Sequence, residues 1–226
     1  MLDIVNKSEY FALLSENCAD RKNHSLKGIQ DGWIIGQLKR VKGKRLMEVG
    51  GGNSRVLPLL EANTLYNAEK YEGVGNGPVK PVEIDGVTVI PTYMGEFSKD
   101  APEVDIVFSI SVIEHIPFGQ YVAAFQDMAR CLVPGGVMYH AIDIVLGDTP
   151  LETASTRIVE LYEAIDEAGL EWAEPPLLKP DLTFSAKMAS NSDLTMWTWT
   201  QISEASRMSA PDTQAVTIKL IAKKPA

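Results

Sequence analysis

Arg45-Leu46-Met47-Glu48-Val49-Gly50-Gly51-Gly52-Asn53-Ser54 is the stretch on which the fold turns. A short apolar run breaks at three consecutive glycines and continues into Arg55-Val56-Leu57. A strand that stops at glycines and restarts as a helical pattern predicts a sharp strand-to-helix turn, with room for a ligand to approach the backbone closely. Pro58 lacks a backbone donor, so the helix that follows should be loosened in its first turn or begin late.

Outward from that turn, short apolar and β-branched runs alternate with helical patterns. Strand candidates are Arg45 to Val49, Thr64 to Glu69, Val87 to Ile90, Asp105 to Ile110 and Val137 to Ile142. Alternation of this kind is the mark of an α/β fold with parallel strands and crossover helices. Tyr121, Ala124, Phe125, Met128 and Leu132 share one helical face, ended by Pro134-Gly135-Gly136. Ile158, Leu161, Tyr162 and Ile165 form a second stripe after Asp148-Thr149-Pro150.

Both termini differ from this core. Residues 1–40 read as a helical cap, with Tyr10, Phe11, Leu13 and Leu14 clustered and Ile34, Ile35 and Leu38 at helical spacing. Beyond Pro175, two strand-like runs, Leu194 to Thr200 and Gln214 to Ala222, suggest a hairpin closing one sheet edge. The second alternates Val216, Ile218 and Leu220 with Thr217 and Lys219, as a half-buried strand would.

The 226 residues suffice for one large domain, and their formal charge of -9 speaks against a nucleic-acid partner, which would call for a basic face. No apolar run is long enough to span a bilayer and no secretory pattern opens the chain, so no membrane is expected and a cytoplasmic location is. Cys18 and Cys131 read as two reduced thiols.

The neighbours of the glycine run decide which ligand it suits. A dinucleotide site needs a third glycine where Arg55 stands, and a helix N-terminus open to a pyrophosphate. S-adenosylmethionine makes the opposite demand, because it carries a sulfonium and an ammonium but no phosphate. Glu48 at the strand end meets that demand. Glu69, at the end of the second strand, is placed to accept hydrogen bonds from two ribose hydroxyls, with Glu72 as the fallback.

Three segments, Glu48 to Ser54, Val104 to His115 and Leu132 to Gly136, resemble in order and spacing the signature segments of class I methyltransferases of the small-molecule type. The resemblance spans residues 44–143 and departs at Ser54, where the family often has glycine. It implies a three-layer α/β sandwich with a central, mostly parallel seven-stranded sheet whose last strand is antiparallel. Residues 41–226 would then be the methyltransferase domain, with a substrate-side helix and closing hairpin over 148–226. It further implies that Glu48, Gly50, Gly51 and Gly52 face the methionine part of S-adenosylmethionine and that Glu69 binds ribose. Glu96 and Phe97 would flank adenine, and Ser109 and Ile110 would lie beside cofactor and acceptor.

The acceptor chemistry is less legible. His115, His140 and Asp143 fall near the ends of the fourth and fifth strands and are the candidates for base or acceptor contact. Each has a structural alternative: a backbone-capping loop histidine, a packed strand histidine and a turn-capping aspartate. Glu114-His115 resembles part of a metal-binding E-x-x-E-H pattern, but Ser111 stands where the first glutamate belongs, so no metal is expected. Trp197 and Trp199 would share a strand face, as pocket wall or as core. Gly73 to Pro78 is glycine-rich but lacks the lysine of a phosphate loop and reads as a surface turn. The resulting expectation is methyl transfer from S-adenosylmethionine to oxygen or nitrogen of a small metabolite, a sugar or natural-product-like acceptor being favoured. An NAD-dependent oxidoreductase and a non-catalytic cofactor-binding scaffold are the rivals.

Overall fold

In chain order the elements are β1 (Leu2–Ile4), α1 (Lys7–Ser15), α2 (Leu26–Leu38), β2 (Arg45–Val49), β3 (Thr64–Ala68), β4 (Val87–Ile90), β5 (Val104–Ile110), α3 (Tyr121–Cys131), β6 (Leu132–Gly147), α4 (Glu152–Glu167), β7 (Glu171–Trp172) and β8 (Thr213–Lys223). The computed structural model describes residues 1–23, 25–61, 63–73, 78–93, 95–97, 101–183 and 213–226. The strands form one sheet in the order β1-β8-β6-β5-β2-β3-β4, with β7 beside β8. From β6 to β4 the neighbours are parallel, whereas β8 runs antiparallel to β6. The α/β class and the antiparallel last strand agree with the sequence reading.

The sheet is covered on both faces, which is why its central strands are apolar at nearly every position. Along β5, Val104 and Val107 enter the core shared with α3 and α4, while Ile106 and Phe108 enter the core shared with α1 and α2. Phe125 and Met128 of α3 and Ile158, Leu161 and Ile165 of α4 pack into the first core, as their helical spacing predicts. Trp33, Ile34 and Leu38 of α2 pack into the second.

Four expectations need correction. The first forty residues are not purely helical, because Leu2–Ile4 adds a strand against Ile218–Leu220 of β8; with the short β7 also beside β8, the sheet has eight strands among the described residues. Three residues are too few to display a period, yet Leu2 and Ile4 are buried. β8 is correspondingly flanked on both sides, by β6 and by β1 and β7, and does not lie at an edge. Its polar positions Thr217 and Lys219 are buried rather than solvated, and Lys219 is neutralised by Glu9 of α1 at 2.6 Å and Asp3 at 3.5 Å. The run Leu194 to Thr200, with Trp197 and Trp199, lies outside the described residues.

The third correction concerns β6. It begins at Leu132 and runs to Gly147, so Pro134-Gly135-Gly136 sits inside the strand, with a register shift against β5 and Gly135 at φ +75°. α3 has already ended at Cys131, ahead of the proline. Finally, the crossover after the glycine run holds no α-helix but a single 3-10 turn, Leu57–Leu59, with Pro58 at its start. Among the described residues no helix is long and apolar enough to cross a membrane.

Candidate cofactor and acceptor site

The carboxyl ends of β2, β3 and β5 open into a cavity of about 670 Å³. Gly50, Gly51 and Gly52 form part of its wall. Gly50 and Gly52 have φ of +66° and +51°, a region costly for side chains. At Gly51 the reason is crowding: a Cβ there would lie 2.7 Å from Asn67 Oδ1 and 2.8 Å from Glu48 Cδ. All three positions therefore demand glycine, and the exposed backbone becomes a cradle.

Glu48 sits beneath that cradle, 3% exposed, bonded to the Ser54 hydroxyl. Burial pushes its pKa up to about 7, opposed by the Ser54 hydrogen bond. Asn67, directly across from Glu48 in the β2–β3 register, donates to the Gly52 carbonyl at 3.0 Å, while its Oδ1 is buried without a partner among the described residues. Arg55 does not neutralise Glu48 at contact; it makes a two-point pair with Asp31 of α2, at 2.6 and 2.8 Å.

Glu69 follows β3 and lines the cavity, its carboxylate accepting the Tyr71 backbone N–H at 3.0 Å. Tyr71 adopts φ +58° to make that turn. Glu96 also lines the cavity and is exposed, paired with Lys70 at 3.3 Å; Lys70 in turn stands 4.7 Å over the Tyr93 ring. Ile110 lines the cavity at the end of β5.

Three expected site residues lie elsewhere. Phe97 is buried in the core, its backbone N–H held by Asp127 at 2.8 Å and its carbonyl by Arg130 at 2.8 Å. Ser109 and His140, paired across β5 and β6, are fully buried and bonded to each other at 2.8 Å, with the imidazole edge-on to Phe125. Burial lowers the His140 pKa to about 3, so the ring is neutral. Because β6 extends five residues beyond the expected end at Ile142, to Gly147, His140 lies inside the strand and not at its mouth.

His115 is exposed on a 3-10 turn, Ile113–His115, and lines the cavity. Asp143 stands one layer back: its carboxylate accepts from Gln30 and, at 3.0 Å, from the Ser111 hydroxyl, and Ser111 is the residue on the wall. Glu114, His115 and His140 do not converge, and among the described residues no group of three metal-ligating side chains exists.

A family model described as a methyltransferase domain matches residues 32–173, the stretch that holds the glycine turn, β5, β6 and α4. The chain belongs to that family. No curated protein matches the sequence. Among solved structures, this methyltransferase domain is similar to a Haemonchus contortus phosphoethanolamine N-methyltransferase in complex with phosphomonomethylethanolamine and S-adenosylhomocysteine (17% identity, TM-score 0.51), covering 86% of this chain but only 52% of that one. It is also similar to the cyclase SpnF (14% identity, TM-score 0.55, 96% and 93% covered) and to the YcgJ protein of Bacillus subtilis (13% identity, TM-score 0.53, 86% and 97% covered). At these identities the likeness concerns the fold, a Rossmann-like methyltransferase sheet.

Sequence reasoning missed Gln30, Lys27, Asn67 and Thr92, and treated Ser111 only as a missing metal ligand. Lys27 and Thr92 line the cavity. Asn67 was legible only through its register with Glu48, and Gln30 only through the packing of α2 over the strand ends.

Proposed function

We propose that this domain transfers the methyl group of S-adenosylmethionine to an oxygen or nitrogen of a small metabolite. The observation that carries the reading is one cavity shared by a glycine cradle, two carboxylates, Glu48 and Glu69, and a second set of polar groups, Lys27, Ser111 and His115. The residues fit the cofactor. The cradle accepts a ligand pressed against backbone, the Glu48 carboxyl offers an acceptor beside it for an ammonium, and Glu69 offers one for a ribose diol. When bound, the cofactor supplies an electrophilic methyl carbon on a cationic sulfur. The chain's part is then to align an acceptor along the methyl axis and to exclude water.

The H. contortus relative holds S-adenosylhomocysteine and a small amine on the same fold, which supports the cofactor and the size of the acceptor. The dinucleotide alternative loses support, because the glycine turn leads into a 3-10 turn and no helix N-terminus is there to meet a pyrophosphate.

Calorimetry with S-adenosylmethionine and S-adenosylhomocysteine tests the proposal. Micromolar-range binding is expected, weakened by Glu69→Ala. Absence of binding to both, or thermal stabilisation by NAD alone, overturns it.

A further inference from the structure

Behind the cavity wall lies a polar network that cofactor binding leaves without a task. Ser111 directly follows β5 with φ +52°, a conformation that non-glycine residues hold only where surrounding contacts enforce it. Its hydroxyl reaches Gln30 Oε1 at 2.8 Å and Asp143 Oδ1 at 3.0 Å, and Gln30 donates to that same Asp143 oxygen. Gln30 is fully buried and comes from α2, Asp143 from β6, so three separate elements converge on the Ser111 hydroxyl.

Glu114 adds the second acid. Both of its carboxyl oxygens are buried without a hydrogen-bond partner among the described residues, and the single Ser111 proton has Gln30 Oε1 and Asp143 Oδ1 as alternative acceptors. Burial first, and Asp143 second, raise its pKa to about 8. Its backbone is fixed from α4: Arg157 donates to the Glu114 carbonyl at 2.9 Å and to the Tyr121 hydroxyl at 2.8 Å. The charged and titratable groups bearing on Glu114 are thus Asp143 of β6, Lys27 of α2, Tyr121 of α3 and Arg157 of α4.

We propose that Ser111, Asp143 and Glu114 form a proton sink for the methyl acceptor, and that the acceptor is therefore a hydroxyl or a protonated amine. This rests on the methyl-transfer reading above. As the acceptor's oxygen or nitrogen bonds the methyl carbon, the carbon–sulfur bond breaks and its electron pair stays on sulfur. The acceptor's proton passes to Ser111 Oγ while the Ser111 proton moves to Asp143 Oδ1. Glu114 keeps its own proton, so the acid pair starts with one negative charge and ends neutral. An acceptor that is already ionised, such as a thiolate, would need no such sink. Ser111 touches the acceptor, Asp143 takes the proton through it, and Gln30 and Arg157 are positioning residues.

The test uses the full chain saturated with S-adenosylhomocysteine. Side-chain carboxyl signals are followed by carbon NMR across pH, with Glu114 identified by the signal lost in Glu114→Gln. Glu114 should titrate well above the ordinary 4.5 and move down in Asp143→Asn. If Asp143→Asn does not fold, Ser111→Ala, which removes only the hydroxyl, should still move the Glu114 midpoint. An ordinary midpoint, or one indifferent to both variants, overturns the sink. In parallel, mass spectrometry follows methyl transfer to hydroxyl, amine and thiol acceptors. Turnover of hydroxyls or amines that falls at least tenfold in Ser111→Ala, with S-adenosylhomocysteine affinity kept, supports it; turnover of thiols alone overturns it. Failure of the chain to bind S-adenosylhomocysteine would instead sink the function on which the proposal rests.

Discussion

Ser54 bonds the buried carboxyl of Glu48 through its hydroxyl, and the same oxygen accepts the backbone N–H groups of Val56 and Leu57 at 3.1 and 2.9 Å. The serine does the work of a helix cap for a crossover that has no helix. It also fixes the rotamer of the one acid beneath the glycine cradle. The departure from glycine at this position therefore couples the glycine loop to the strand it leaves.

Glu48 changes charge near neutrality, its pKa being about 7. A cationic cofactor favours the ionised carboxylate, so affinity for S-adenosylmethionine should rise about tenfold from roughly pH 6 to pH 8. Glu48→Gln should flatten that profile. A wild-type affinity that stays level over this range would show that Glu48 does not meet the cation.

Gly51→Ala tests the cradle from the other side. The added Cβ would overlap Asn67 Oδ1 and Glu48 Cδ, both too closely held to retreat. Cofactor affinity should fall at least about tenfold and stability by about 1–3 kcal/mol, as for other overpacked sites. Calorimetry and urea unfolding measure the two effects separately, and wild-type affinity in the variant would show that the ligand does not press against this backbone.

Glu96 and Phe97 are neighbours in sequence with opposite roles. Phe97→Ala removes a buried ring and should cost about 3–5 kcal/mol of stability. Glu96→Ala, on the exposed cavity rim, should leave unfolding nearly unchanged and act only on cofactor affinity. Equal losses of stability in the two variants would contradict the placement of Phe97 in the core.

How much of this was legible follows from the range of the interactions. The order of strands β2 to β6, the glycine turn, and Glu48 and Glu69 rest on local patterns, and the structure puts all of them at one sheet edge. Leu2–Ile4 escaped because its evidence is a partner more than two hundred residues away, Leu220 opposite Leu2. Lys219 escaped for a similar reason: alternation marks it as solvated, whereas α1 covers it and supplies Glu9. The polar network behind the cavity wall escaped because it joins Gln30, Ser111 and Asp143 from separate parts of the chain, with no spacing to reveal it. For His140 the strand pattern offered a packed histidine beside a catalytic one, and the structure bears out the packed reading, because β6 runs on to Gly147 and buries the ring against Ser109.

That burial has a measurable cost in acid. His140 is neutral in the folded chain, with a pKa of about 3 against an ordinary 6.5. A depressed folded value means that its contribution to stability is complete above pH 6.5 and is lost as pH falls toward 3. Urea midpoints measured over this window should therefore drop more steeply for the wild type than for His140→Gln, the difference amounting to about 2–4 kcal/mol. Cofactor affinity near neutral pH should be the same in both, because the imidazole faces Ser109 and Phe125 rather than the cavity. Parallel acid limbs, or a cofactor affinity lost with the histidine alone, would return His140 to the site.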